Sequence, residues 1–206
     1  MKQNNRMGLS CAFLFAGLLA LGMMGCKSSS KETSTSSTKP APAAMADNRP
    51  TIRINAGSEA AMTDTQGVKW AADSGFEGGD VVDRPDLAVT GTKTPELYHT
   101  ERYSMDSYSF AVPNGKYLLR LHFSEDYEGN TDPTSRVFTY AVKDGDAKTG
   151  KLIKEVKDFS PWKAAGAAAK VYIDEVPMNV TNGRISITFT PQAENPQVNA
   201  IEILPR

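Results

Sequence analysis

Gly115-Lys-Tyr-Leu-Leu-Arg-Leu-His-Phe123 is the stretch that decides the fold. Tyr117, Leu119, Leu121 and Phe123 fall on every second residue. Side chains along a strand alternate between its two faces, so this spacing gathers all four on one apolar face. Working outward, Tyr108, Phe110 and Val112 keep the same period before it, as do Ile52 and Ile54. Ile185, Ile187 and Phe189 keep it afterwards. Val198 and Ala200 start another run, which slips by one residue to Ile201 and Ile203. Such a slip reads as a bulge or as the end of one-sided exposure.

Turn residues punctuate these runs. Pro113-Asn-Gly115 separates two of them at hairpin spacing, Asn182-Gly183 precedes a third, and Asp144-Gly145 follows Val142. The pattern predicts an all-β sandwich of about nine or ten short antiparallel strands. The one helix-like stretch, Trp162 to Lys170, is rich in Ala but interrupted by Gly166, which predicts a single turn or a loop.

The strand pattern occupies residues 51–206, a length of about 155 residues that suits one domain with one core. The formal net charge is −1, with acidic and basic residues interspersed. That excludes the clustered basic face a nucleic-acid binder needs. Cys11 and Cys26 both precede the strands, so the domain has neither a disulfide nor a thiol ligand. His99 and His122 are the only histidines, and no third ligand accompanies them, which argues against zinc. The acidic run Glu125 to Asp132 lacks the spacing of an EF-hand loop and reads as a solvated loop, with no metal. No cofactor is expected.

The first fifty residues differ from the rest. Lys2 and Arg6 precede an apolar run from Ala12 to Met24, too short for a membrane span and flanked as in a signal peptide. It ends in Leu21-Gly-Met-Met-Gly-Cys26, which resembles the lipobox of bacterial lipoproteins: Gly25 and Cys26 match, while Met23 stands where Leu is usual. The resemblance implies a signal peptide over 1–25 and a lipidated Cys26 as mature N-terminus. Residues 26–50, rich in Ser, Thr and Pro, form a polar tether unable to bury a core. Lys27 after the cysteine implies outer-membrane sorting by the rule of enteric lipoproteins. The expected location is therefore a bacterial cell envelope, with the protein attached to the membrane through its N-terminal lipid.

Three separated blocks carry a second resemblance. They are Arg53-Ile-Asn-Ala-Gly57, Leu97-Tyr-His-Thr-Glu-Arg-Tyr103 and Glu194-Asn-Pro-Gln-Val-Asn-Ala-Ile-Glu-Ile203. Aromatic planes beside charged hydrogen-bonding groups suit a sugar, which has an apolar ring face and a hydroxyl rim. In order and spacing the blocks resemble the malectin family of carbohydrate-binding domains. The resemblance implies a jelly roll with its site in loops at one end, non-catalytic binding of carbohydrate, and a glucoside as ligand.

Carried over residue by residue, Tyr103 of Thr-Glu-Arg-Tyr matches a ligand-contacting tyrosine. Tyr127, in His122-Phe-Ser-Glu-Asp-Tyr-Glu128, matches another, and Glu128, standing where the family has a second aromatic, is a further candidate ligand residue. Glu194 before Asn195-Pro196 keeps the family's carboxylate on a longer arm. No aromatic follows Phe76-Glu-Gly-Gly79 at the family's remaining tyrosine, so two stacking planes are missing, and Trp70 or Trp162 is a candidate substitute. Asn55 is a turn-former and also a candidate hydroxyl ligand. Tyr98 reads as core. Glu101 and Arg102 alternate along a strand and read as separate structural pairs. Glu101, Glu125 and Glu194 could supply a glycosidase's two carboxylates, but no motif pairs them, so no enzyme is expected. The alternative to a sugar binder is an envelope module that binds protein or has a structural role.

Overall fold

A computed structural model describes residues 47–206. The expected signal peptide, Cys26, Lys27 and most of the expected tether lie outside the described residues. In chain order the elements are β1 (Ile52–Asn55), β2 (Met62–Thr63), β3 (Lys69–Trp70), β4 (Phe76–Asp83), a 3-10 turn (Pro95–Tyr98), β5 (Thr100–Ala111), β6 (Gly115–Phe123), β7 (Val137–Asp144), β8 (Lys151–Phe159), α1 (Pro161–Ala165), β9 (Tyr172–Val180), β10 (Arg184–Ala193), β11 (Gln197–Val198) and β12 (Ala200–Pro205). Nine strands have four or more residues and three have two. The single short helix among the described residues is capped by Ser160, whose Oγ accepts from the Lys163 amide, and it stops at Gly166 in the left-handed region.

Two antiparallel sheets face each other. The first has the order β1-β12-β6-β9; the second runs β11-β5-β10-β7-β8, with β4 along the other side of β5. The stretch quoted first, β6, is interior to its sheet, between β12 and β9. Tyr117, Leu119, Leu121 and Phe123 are all buried in the core between the sheets, and so are Tyr108, Phe110, Ile185, Ile187 and Phe189 opposite. Removing each such side chain from water contributes about 1.5–3 kcal/mol. Phe123, Phe138, Tyr140 and Phe159 close one end, with ring centroids 4.8–6.4 Å apart.

Two of the three turn signals are not hairpins. β5 and β6 lie in different sheets, so Pro113-Asn-Gly115 is an arch across the sandwich; β9 and β10 also lie in different sheets, so Asn182-Gly183 is another. The arches brace each other, with the Asn114 side chain accepting from Gly183 N at 2.9 Å. Asp144-Gly145 does join a paired hairpin, β7 and β8. Period-two alternation shows which face a residue occupies, not which sheet its strand joins.

The slip after Val198 has the same origin. β11 pairs with β5 in one sheet and β12 with β6 in the other, so the chain changes sheets at Asn199. The wholly buried Asn199 keeps both backbone bonds, its N–H donating to the His122 carbonyl and its carbonyl accepting from Ala56 N, and its side chain adds further ties across the crossing. Its Oδ1 accepts from Ser124 N at 2.8 Å, and its Nδ2 donates to the Thr100 carbonyl at 3.1 Å, Asp126 Oδ2 at 3.3 Å and the Tyr98 carbonyl at 3.4 Å. A second apolar cluster of Trp70, Val89, Leu97, Tyr98 and Ala200 covers the outside of the first sheet here. Tyr98 is core, as the sequence suggests, and donates to or accepts from His122 Nδ1 at 2.8 Å.

Candidate functional site

The three blocks converge on the first residues of β5. Asn55 Oδ1 accepts from Thr100 Oγ1 at 3.0 Å, and Asn199 holds the Thr100 carbonyl. Gly57 lies flat against Glu101: a Cβ there would stand 2.4 Å from the Glu101 carbonyl oxygen. Its φ of +82° also requires glycine. Asp73 then ties the layer together. Its Oδ2 accepts from Gly57 N at 2.8 Å and from Arg102 Nε at 2.6 Å. Much of each block is therefore framework that fixes where Glu101 and Tyr103 sit.

Glu101 and Tyr103, two residues apart on β5, share a face. Val82, paired directly opposite Glu101 on β4, and Arg84 just beyond that strand sit alongside. Tyr127 and Arg136 come from the loop between β6 and β7, and Glu194 from the turn between β10 and β11. These seven residues line a cleft of about 300 Å³. Tyr127 is 44% exposed and Glu194 is also exposed, so both stand at the rim. Gly129 gives the Tyr127 ring its place, since a Cβ on Gly129 would come within 2.6 Å of the ring.

The cleft floor is charged and buried. Glu101 is 2% exposed, with Oε1 3.3 Å from Arg84 Nη1 and Oε2 without any hydrogen-bond partner. Arg136 is committed elsewhere: its Nε donates to Glu125 Oε2 at 2.7 Å, and its Nη1 donates to the Asn195 carbonyl. Burial pushes the Glu101 carboxyl up to about 7, against the pull of Arg136 and Arg84 and helped by Asp126 and Glu125. Burial likewise raises Asp126 to about 6, although bonds from Ser124 and Asn199 favour its charged form.

Tyr103, Tyr127 and Glu194, far apart in sequence, are thus brought together. Asn55 is not part of the cleft: it is buried, with both side-chain atoms used internally, Oδ1 by Thr100 and Nδ2 by Met62 Sδ at 3.2 Å. Glu128 is exposed beside Tyr127 and does not line the cleft. Trp70 supplies no stacking plane, because it is buried with its Nε1 donating to Asp64 Oδ2 at 2.9 Å. Trp162 is also outside the cleft lining. The acidic loop is not solvated at its start, since Glu125 pairs with Arg136 and Asp126 accepts from Ser124 Oγ at 2.6 Å. Among the described residues no group of three His, Cys, Asp or Glu side chains is placed to hold a metal.

Glu101 and Arg102 do form separate pairs, with Arg84 and Asp73 respectively. What the sequence did not show is that the Glu101 pair floors the cleft. Val82, Arg84 and Arg136 carry no motif, and only their register against β5 and Glu125 brings them in. A larger hollow of about 650 Å³, lined by Leu118, Glu175, Pro177, Met178 and Arg206 among others, lies on the first sheet. None of the unpartnered buried side-chain atoms belongs to it.

The fold and cleft define a β-sandwich binding domain. The malectin domain matches residues 51–201, and the chain belongs to that family. A kinesin-like protein of rice, KIN-14E, is 30% identical over 155 residues, which is 74% of this chain and 14% of that protein. Mouse Malectin is 29% identical over 173 residues, covering 73% of this chain and 55% of its own length. The chain thus spans little more than half of one relative and a small part of the other. Among solved structures, a beta-glucuronidase of Bacteroides uniformis superposes with a TM-score of 0.64 at 19% identity, over 76% of this chain and 18% of that one. The plant receptor-like kinase FER does so at 0.60 and 24% identity, over 76% of this chain and 42% of that one. These two share the fold.

Proposed function

We propose that residues 51–206 bind carbohydrate without catalysis, holding a glucose-containing di- or oligosaccharide in the cleft. The observation that carries this reading is the meeting of Tyr103, Tyr127 and Glu194, from three separate segments, around one small polar cleft. The tyrosines offer ring faces for stacking, and Glu194 offers a charged acceptor to hydroxyls. With few stacking planes and an open rim, affinity is weak, on the order of 10 μM to 1 mM.

Calorimetry with maltose and cellobiose tests this. Tyr103→Ala, Tyr127→Ala and Glu194→Gln should each weaken binding by about 1–2 kcal/mol. Tyr127→Ala and Glu194→Gln, at the exposed rim, should keep the wild-type melting temperature within a few degrees. If no sugar on a glycan array binds, the envelope protein-interaction reading takes its place. Glu101 and Glu194 have the residue types of a glycosidase pair, yet aryl glucosides should remain intact. Turnover that survives repurification and is abolished by Glu101→Gln or Glu194→Gln would overturn the binder reading.

We further infer a lipoprotein setting. Gly25-Cys26 after an apolar segment, followed by a polar tether, supports a lipid-anchored domain in a bacterial envelope, with Lys27 favouring the outer membrane.

A further inference from the structure

We propose that Glu101 is the hydroxyl-recognising residue at the floor of the cleft, its free Oε2 completed by a hydroxyl of an uncharged sugar. This rests on the carbohydrate reading and goes beyond its rim contacts. A buried carboxylate oxygen without a donor is costly, and native structures rarely leave one. Here the orphan atom belongs to a residue that lines the cleft, while its sister oxygen is already held by Arg84. The missing partner is therefore a donor from outside the chain. Oε2 is covered in the free protein, so the assignment requires side chains of the cleft wall to part for the hydroxyl.

The neighbouring charges select the donor. Arg84 and Arg136 both line the cleft and oppose an ammonium group, which disfavours an amino sugar. A uronic acid's carboxylate would meet Glu101 and Glu194 as well as the two arginines, so the cleft gives it no net attraction to offset its desolvation. A neutral hydroxyl meets neither penalty. The groups facing Glu101 are Arg84 beyond β4, Arg136 before β7, and Glu125 and Asp126 in the loop after β6. Burial holds Glu101 partly protonated near neutrality, whereas a hydroxyl donor favours its ionised form. Binding should accordingly drive a proton off, and affinity should rise with pH.

The experiment is calorimetry of the full chain with maltose and cellobiose at pH 5.5, 7 and 8.5, with two buffers of different ionisation enthalpy at pH 7. Expected is a several-fold gain in affinity from pH 5.5 to 8.5, together with release of a fraction of a proton per sugar bound. Glu101→Gln should flatten the profile and end proton release while remaining folded by circular dichroism. Asp126→Asn, outside the cleft, removes a charge that helps raise Glu101, so the rise of affinity with pH should persist with its midpoint moved to lower pH. Wild-type binding with a flat profile and no proton release overturns the assignment and leaves the carbohydrate reading standing. So does a profile that survives in Glu101→Gln or disappears in Asp126→Asn. Absence of binding by maltose, cellobiose and every member of a glycan array overturns both.

Discussion

Two buried carboxyls, Glu101 and Glu202, give the domain opposite responses to pH. Burial raises Glu101 to about 7 from its ordinary value of 4.5, so the folded state holds this proton more tightly than the unfolded chain. Stability from this residue is therefore full below about pH 4.5 and falls as pH rises through 7, by roughly 3 kcal/mol in all. Asp126, raised to about 6, acts in the same direction. Glu202 is pushed up by burial, but bonds from His122 and Arg53 outweigh this and hold it at about 2. Its contribution is present above 4.5 and is lost as pH falls toward 2. Together these groups predict a stability maximum near pH 4 to 4.5, read as urea midpoints across pH 3 to 9. Glu101→Gln should match wild type near pH 4 and exceed it at pH 8.5 by on the order of 1–3 kcal/mol, because the amide removes a buried charge without removing volume. Equal midpoints for the two proteins at pH 8.5 would mean that Glu101 ionises in the ordinary carboxylate range.

At the scale of elements, what was legible in the sequence was the face each residue occupies. Tyr117 to Phe123, Tyr108 to Val112 and Ile185 to Phe189 all point into the core as their spacing requires. The pairing of strands was not legible, because an arch and a hairpin can use the same Pro-Asn-Gly residues and only long-range packing separates them. The change of sheets at Asn199 left a trace as a slipped period, but a bulge leaves the same trace. The cleft was readable where a motif marked it, at Tyr103, Tyr127 and Glu194. It was unreadable where strand register alone supplied the residue, at Val82 and Arg84. Asn55 shows the converse: a polar residue inside a motif proved to be framework. Two variants test this division. Asn199→Ala strips four hydrogen-bonded groups of their partner inside the sandwich and should destabilise by about 3 kcal/mol or more in urea titration. Gly129→Ala meets only the far end of the Tyr127 ring, so that ring should swing away. It should weaken sugar binding about as much as Tyr127→Ala while moving the melting temperature by no more than a few degrees. An unfolded Gly129→Ala would show that the loop, rather than the ring alone, depends on this glycine.

At the scale of the whole molecule, the proposed weak binding and the proposed lipid attachment would work together. A single site with a dissociation constant near 0.1 mM holds a free sugar only briefly. Many copies fixed to one membrane can instead engage a polysaccharide together, and avidity then exceeds the single-site affinity by orders of magnitude. A Ser-, Thr- and Pro-rich segment between Cys26 and the domain, acting as the proposed tether, would suit this arrangement by letting each domain find its own place along the chain of sugars. The anchor must be durable, and a single acyl chain is not: its membrane binding is marginal and reversible, whereas two or more chains hold stably. A lipobox cysteine supplies that through a thioether-linked diacylglyceryl group and an amide-linked acyl chain. Cys26 is therefore expected to carry both in the protein extracted from membranes of a bacterial host. Its intact mass should exceed that of residues 26–206 by those two groups, and the protein should stay with the membrane fraction through high-salt washing. Cys26→Ser should lose the added mass and the anchor attached to it. A Cys26→Ser protein that keeps the wild-type mass and membrane attachment would place the anchor elsewhere, and the surface-avidity argument would lose its basis.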